Sequence, residues 1–287
     1  MMTIDLQVRP AIFSDQRGIA DLIYSKTHFH RHLDWYTPLE WLGSPFYWVI
    51  EDNSRIIAAL ACPQDPPGIA WVRLFTHVGH ITAQESWSTL WETVRVELGR
   101  QCGTTVAVIT QQEWYQAILR ESGFESRQQV VMLEWNNYTL PQCTPVPGLT
   151  IRPMMLDDLP QVAEVDREAF APLWQNSLPA LNKAHPQAVI ATVADGEDGL
   201  SGYLLCTQNA FWAHLARLAV RPKAQHQGIG LALVNDLISR LNHAGIQHLT
   251  VNTQRNNYAS LALYRKTGFV LTGKDYPVYE YEVATNN

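Results

Sequence analysis

The amino-acid sequence predicts an α/β fold that is built twice, each copy having a mixed central sheet flanked by helices. One observation is the alternation of strand-length apolar runs with segments of helical periodicity in the second half. The other is an internal repeat. Val8-Arg9-Pro10 is echoed by Ile151-Arg152-Pro153, an offset of 143 positions (152 − 9), and Ser122-Gly123-Phe124 by Thr267-Gly268-Phe269, an offset of 145 (268 − 123). Near-equal offsets at both ends indicate duplication of one unit.

The repeat divides the chain into two expected domains, residues 1–140 and 149–287, joined by a linker at 141–148. The linker contains Pro141, Pro145 and Pro147 and ends at Gly148. A stretch with this proline content suits no regular element, so it is the natural boundary.

The elements of the second domain follow from periodicity and capping residues, in chain order. A short strand at 149–152 is followed by the acidic pair Asp157-Asp158, which is typical of a helix start and predicts a helix at 158–169. A Gly- and Asp-rich turn at 195–199 predicts a hairpin. Glycine also ends two helices, at Gly245 and Gly268. The remaining predicted elements are hairpin strands at 188–194 and 202–207, strands at 213–220, 249–253 and 278–283, and helices at 229–243 and 258–267.

Composition restricts the functional class. The formal net charge of −6 argues against a dedicated nucleic-acid binder, which would usually be basic. No apolar run approaches the ~20 residues of a membrane span, and the N-terminus has no signal-peptide pattern. The four cysteines form no Cys-x-x-Cys pair (Cys62, Cys102, Cys143 and Cys206). We therefore expect a cytoplasmic protein with reduced thiols and no membrane or nucleic-acid partner.

The segment Gln225-His226-Gln227-Gly228-Ile229-Gly230 predicts a phosphate-binding turn. It joins a strand to a helix, and free amides at a helix start favour an anion. Arg221 and Lys223, together with His226, can add charge. A P-loop would need Lys and Ser/Thr after the second glycine, but Leu231-Ala232 follow, and a dinucleotide fingerprint would need a third glycine.

Two segments together resemble the GCN5-related N-acetyltransferases (GNAT superfamily). The glycine-rich turn is similar to that family's Arg/Gln-x-x-Gly-x-Gly/Ala pattern. The segment from Asn257 to Phe269, with Leu263-Tyr264 before Gly268-Phe269, is similar to its later motif. The order and separation of the two segments also agree with the family. The resemblance implies two tandem GNAT-like domains and acetyl-CoA as co-substrate, without a metal.

The resemblance also implies which residues hold acetyl-CoA. Backbone groups of the strand before the turn would pair with the pantetheine arm, the turn amides would hold the pyrophosphate, and Asn257 would contact the cofactor arm. The residues implied are Leu218, Ala219, Val220, Gln225, His226, Gln227, Gly228, Ile229, Gly230, Asn257 and Tyr264.

Tyr264 is the candidate general acid, because a phenol with a pKa near ~10 can protonate a departing thiolate. The alternative is that Tyr264 only packs beneath its helix. The position where some family members carry a glutamate base is Asn252, which cannot accept a proton. His214 resembles the histidine of arylalkylamine N-acetyltransferases that helps to deprotonate the amine; a purely packed histidine is the alternative. Asp166 and Glu168 are further candidates for the base, and recognition of a cationic acceptor is the alternative role for both.

The first half shows no such turn. After Arg73-Leu74-Phe75-Thr76, which echoes Arg217–Val220, the chain has no Gly-x-Gly, and Leu119 stands where the second half has Tyr264. We expect a degenerate copy that keeps the fold without the cofactor site. His28-x-His30-x-His32 could bind zinc if extended, but a loop or frayed helix is the favoured interpretation. Eight of the ten tryptophans fall between 35 and 135 and are expected mostly in the core.

These observations predict an acyl-CoA-dependent N-acetyltransferase whose acceptor is a small-molecule amine or a protein amino group. A non-catalytic acyl-CoA-binding or scaffolding protein stays open as an alternative, and an oxidoreductase is a distant third. A homodimer is possible. The acceptor itself is not predicted.

Overall fold

The computed structural model of the chain describes residues 6–25, 28–100, 103–136, 146–209 and 212–284. The strands are β1 Leu6–Pro10, β2 His28–Arg31, β3 Tyr47–Asp52, β4 Arg55–Ala61, β5 Ile69–Trp71, β6 Leu74–His77, β7 Thr104–Ile109, β8 Glu125–Trp135, β9 Thr150–Pro153, β10 Ile190–Gly196, β11 Gly199–Gln208, β12 Ala213–Val220, β13 Leu249–Gln254 and β14 Val270–Val283. The α-helices are α1 Gln16–Ser25, α2 Ala83–Gly99, α3 Glu113–Glu121, α4 Leu159–Ala169, α5 Leu178–Ala184, α6 Ile229–His243 and α7 Tyr258–Lys266.

The chain forms two compact units whose limits differ from the sequence halves. Unit 1 comprises residues 1–127 and 277–287, and unit 2 comprises residues 128–276. Each half of the sequence therefore contributes residues of its last strand to the other unit. Most of β8 lies in unit 2, and the end of β14 lies in unit 1. Most of the predicted linker, residues 141–145, falls outside the described residues. The predicted domain limits at 140 and 149 thus mark the two copies of the sequence repeat, whereas the compact units divide at 127/128 and 276/277.

Unit 1 contains a five-stranded sheet in the order β1-β3-β4-β6-β2, with every pair antiparallel. β5 pairs in parallel with β7, which pairs antiparallel with residues 278–283 of β14. The main core lies under α2 and α3 and is aromatic: Trp87 and Tyr115 are fully buried, and Trp91 packs on Tyr281. Of the eight tryptophans between 35 and 135, four are buried (Trp71, Trp87, Trp91 and Trp135) and four are partly exposed, so the expected core role holds for half of them.

Unit 2 contains a sheet in the order β14-β8-β13-β12-β11-β10-β9. β8 pairs antiparallel with β13 from Val130 to Trp135, so the first half of the sequence supplies an interior strand of this sheet. Helices α6 and α7 cover one face, where Leu233, Leu237 and Tyr264 join the core. Helix α4 lies against β11 and β12.

The repeat predicted from sequence is preserved in side-chain contacts. Arg9 donates two hydrogen bonds to Asp15, at 2.7 and 2.9 Å, and Arg152 donates two to Asp158 at the same distances. Each aspartate also accepts a backbone N–H three residues earlier. The predicted α/β class in two tandem copies is confirmed.

The predicted elements of the second half are close to those observed. The strand at 213–220 and the helix at 229–243 match to the residue, whereas β14 is eight residues longer at its start than the predicted strand at 278–283. Helix α5 was not predicted. No helix of the described residues is long and apolar enough to span a membrane.

Candidate functional site in unit 2

The central feature of unit 2 is an opening between two parallel strands. β12 and β13 pair only from Ala213–Leu215 to Leu249–Val251 and then diverge. The Arg221 amide donates to Ser201 on β11, and backbone groups alternate in direction along a strand. The backbone N–H and C=O groups of Arg217 and Ala219 are therefore directed to β11. Those of Leu218 and Val220 are directed to the opening. The backbone groups that the resemblance implies for the pantetheine arm are thus directed to the opening at Leu218 and Val220. The Ala219 backbone, in contrast, pairs with Tyr203 of β11.

A bulge at Ala216 changes the positions of the side chains before it. β12 pairs Arg217 with Leu205 and Leu215 with Cys206, so Ala216 is the extra residue. The bulge reverses the alternation, and His214 lies on the face of Arg217, opposite to Leu218. The bulge therefore prevents His214 from sharing a sheet face with Leu218, as unbroken alternation along the strand would have required. Simple period-two counting fails at a bulge.

The glycine-rich turn lies at the end of β12 and leads into α6. His226 and Gly228 both have left-handed backbone, with φ of 62° and 85°. Gly228 is the N-cap of α6, and residues 225–228 are exposed. The first amides of α6 and the turn are thus directed to an accessible surface at the positive end of the helix dipole. The second glycine has a packing role as well: a Cβ at Gly230 would lie 3.2 Å from Leu263 of α7.

The polar side chains of the turn hold its conformation. Gln225 Nε2 donates to the Val220 carbonyl at 3.1 Å, and Gln227 Nε2 donates to the Lys223 carbonyl at 3.2 Å. Arg221 does not reach the turn: it donates to the Leu200 carbonyl and ion-pairs with Glu168. The expected contribution of Arg221 to an anion site is not supported, which leaves Lys223 and His226 as the cationic side chains there.

Tyr264 lies on the buried side of α7, with 4 % of its surface exposed. Its ring packs on that of Phe269, and the two ring centroids are 5.5 Å apart. No described residue hydrogen-bonds its hydroxyl. Burial is the main cause that raises the pKa of Tyr264 above its usual value, while the charge of nearby Arg217 opposes the rise. The phenol is therefore a weaker acid than the unperturbed group assumed from sequence, and it is protonated throughout the physiological range.

The other two candidates have structural partners. Asn257 caps α7, its Oδ1 accepting from the Ser260 amide at 3.1 Å. The nitrogen Nδ1 of His214 lies 2.8 Å from Thr250 Oγ1, at a register position where β12 and β13 are still paired. Burial lowers the pKa of His214, so the imidazole is neutral near pH 7.

The sequence did not reveal a buried ion pair that joins α4 to β12. Arg217 donates to both oxygens of Asp166, at 2.7 and 2.8 Å, and Asp166 also accepts from the Tyr203 hydroxyl and the Asn176 amide. The carboxylate is fully buried and has four donors. It is therefore unsuited to accept a proton from an amine, and Glu168 is engaged by Arg221. The signal in the sequence was an arginine within an apolar strand, since buried charge requires a partner.

Unit 1 has the corresponding divergence, but its own chain fills it. β5 pairs with β7 from Ile69–Trp71 to Thr105–Ala107, and β2 then lies antiparallel against β6. His28-x-His30-x-His32 is thus mainly a strand, and the expected loop or frayed helix is wrong. The imidazoles of His30 and His32 contact Tyr115 and Trp71 respectively. Within the described ranges no group of three or more ligand side chains is arranged to hold a metal ion.

Comparison with known proteins agrees with this architecture. Residues 154–269 match the model of the acetyltransferase (GNAT) family. This match, together with the two sequence motifs inside it, supports membership of the GNAT superfamily. The [ribosomal protein bS18]-alanine N-acetyltransferase of Escherichia coli K12 is 28 % identical over 120 residues, which are 42 % of this chain and 80 % of that protein.

Two solved structures share the fold over nearly the whole chain. A tandem GNAT protein from the clavulanic acid biosynthesis pathway gives a TM-score of 0.63 at 15 % identity, covering 99 % of this chain and 100 % of the other. A GCN5-related N-acetyltransferase from Sphaerobacter thermophilus gives 0.60 at 16 % identity, covering 98 % and 97 %. The two-copy organisation is thus found in a known tandem GNAT protein.

Proposed function

We propose that unit 2 transfers an acetyl group from acetyl-CoA to an amine. The observation that carries this proposal is the opening between β12 and β13, which leads to the exposed turn at the start of α6. An extended polar chain can pair with a free strand edge, and a pyrophosphate can bind free helix amides. The chain has both features in consecutive elements.

The residues of the opening fit acetyl-CoA. Leu218 and Val220 would pair with the pantetheine arm, and Gln227 to Gly230 would offer amides to the pyrophosphate. Gly228 fits such a role for two reasons: its φ of 85° disfavours other residues, and its Cα is exposed to an approaching ligand. Bound acetyl-CoA would supply the activated thioester.

Tyr264 and a base would then handle two protons. The amine of the acceptor must lose one proton as it bonds to the acetyl carbon, and the departing sulfur must gain one. The Tyr264 hydroxyl, protonated and free of other described partners, is the proposed donor to the sulfur. His214, neutral because it is buried, is the proposed acceptor, acting through water since it precedes the divergence of the strands.

Unit 1 is the proposed degenerate copy. β2 pairs with the edge of β6 that corresponds to the free edge of β12. The same edge groups cannot serve both β2 and a pantetheine arm. We therefore expect one acetyl-CoA for each chain.

A non-catalytic acyl-CoA binder is the second candidate, and Asn252 favours it. Asn252 is exposed on β13 at the opening, and its amide cannot accept a proton. His214, hydrogen-bonded to Thr250, is the remaining candidate base. The E. coli relative acts on a ribosomal protein alanine, so a protein N-terminal amine is one acceptor class to test here.

The deciding experiment follows CoA release from acetyl-CoA with a panel of acceptors: small amines, polyamines, amino sugars and peptides with N-terminal alanine. Turnover with any acceptor above the rate of thioester hydrolysis supports the transferase. Tight binding of acetyl-CoA without turnover across the panel would favour the binder, and absence of binding would refute both.

A further inference from the structure

One segment of the repeat takes two different positions in the two units. The offset of 143 places β2 of unit 1, His28–Arg31, opposite residues 171–174 of unit 2. In unit 1 the segment lies in the divergence as a strand. In unit 2 it contains a short 3-10 helix, Pro172–Trp174, and forms no strand. Among the described residues, no strand pairs with this edge of β12 beyond Leu215, and the Val220 carbonyl accepts only the Gln225 side chain.

The Asp166–Arg217 ion pair fixes the segment in unit 2. Arg217 Nη2 donates to the Trp174 carbonyl at 2.6 Å, and its guanidinium carbon lies 3.5 Å from the centre of the Phe170 ring. Asp166 accepts from the Asn176 amide at 2.7 Å. A single buried pair therefore contacts the beginning, middle and end of the stretch 170–176.

Unit 1 lacks the acidic partner on the corresponding helix. Ile23 stands at the position of Asp166, at the same offset of 143 (166 − 23). Arg73, which corresponds to Arg217, pairs instead with Asp34 at 3.1 Å, and its Nε has no partner in the described structure. Asp34 follows β2, so the pairing in unit 1 is compatible with a strand inside the divergence.

We propose that Asp166 and Arg217 are positioning residues that hold the segment 170–176 off the edge of β12 and so keep the acetyl-CoA site open. Without the pair, the segment gains access to the edge that β2 occupies in unit 1. It then competes with the pantetheine arm for Leu218 and Val220. This inference rests on the proposed function for its ligand, but the position of the segment can be measured without one.

The test uses Arg217→Lys in the full chain. This substitution keeps the charge but loses the bidentate hydrogen bonds to Asp166 and the stacking on Phe170. Arg152→Lys is the matched control, because Arg152 makes the same type of aspartate pair in unit 2 at β9. Two quantities are measured on each: acetyl-CoA affinity by calorimetry, and hydrogen exchange of the ligand-free peptide that contains Leu218 to Val220. Arg217→Lys should weaken affinity about 10-fold or more, since affinity falls with the fraction of open sites. It should also slow exchange at the β12 edge.

Arg152→Lys should change neither quantity more than twofold. Provided that the wild type binds acetyl-CoA, the proposal is overturned if Arg217→Lys binds it like the control. Absence of slower exchange at the β12 edge in Arg217→Lys overturns the proposal in every case, because weaker binding alone would indicate a general loosening of the fold. Asp166→Asn, if folded, should behave as Arg217→Lys. Failure of wild type to bind acetyl-CoA would refute the proposed function, while slower exchange in Arg217→Lys alone would still support the positioning role.

Discussion

Substitution of Tyr264 by phenylalanine separates its chemical role from its packing role. The ring is almost fully buried against Phe269, and phenylalanine preserves that contact. The hydroxyl bonds to no residue in the described structure, so its removal should cost about 1 kcal/mol of stability or less. Loss of a general acid typically lowers turnover ~10²–10⁴-fold, which corresponds to about 3–5 kcal/mol in the activation free energy.

The assay measures kcat by CoA release at saturating acetyl-CoA and acceptor, with the melting temperature recorded for each protein. Tyr203→Phe is the contrasting variant, because the Tyr203 hydroxyl donates to buried Asp166. Its loss should cost about 1–3 kcal/mol of stability. The reasoning is refuted if Tyr264→Phe keeps wild-type kcat, or if its loss of activity is matched by loss of folding.

Three further predictions concern pH and folding. Because burial lowers the pKa of His214, kcat/KM should rise with pH through a titration below pH 6.5. His214→Gln should remove this ascending part of the pH profile, and an unchanged profile would exclude His214 as the base. In unit 1, burial lowers the pKa of His30 to about 4, so the unfolded chain binds more protons between that value and 6.5. Acidification through this range should therefore remove on the order of 3 kcal/mol of stability, and His30→Leu should reduce that loss in denaturant titrations; an equal loss would contradict it. A fragment that begins at residue 149 lacks β8 and should not fold, whereas residues 128–276 should give a cooperative melting transition; folding of the shorter fragment would show that β8 is dispensable.

Local patterns in the sequence predicted local structure well. The apolar stripe through Leu233 and Leu237 gave α6 to the residue, and the Gly-Phe endings identified the repeat. These features depend on neighbours in the chain, so periodicity and capping were sufficient.

Features that depend on distant residues were not predicted. The bulge at Ala216 arises from pairing with β11, and the exchange of β8 depends on the free edge of β13. His28–Arg31 forms a strand because β6 offers an edge, not because of its own composition. The role of Asp166 required its partner Arg217, which lies 51 positions away and could not be assigned from spacing.

Titration of the intact chain with acetyl-CoA tests the central claim most directly. Isothermal calorimetry should find one site for each chain. Gly228→Asp should weaken binding at least ~10-fold for two reasons: the added carboxylate repels the pyrophosphate, and the backbone φ of 85° at this position disfavours residues other than glycine. Gln84→Asp, at the start of α2 in unit 1, should leave affinity and stoichiometry unchanged. Two equivalent sites, or undiminished affinity in a folded Gly228→Asp variant, would contradict the assignment of the acetyl-CoA site to unit 2.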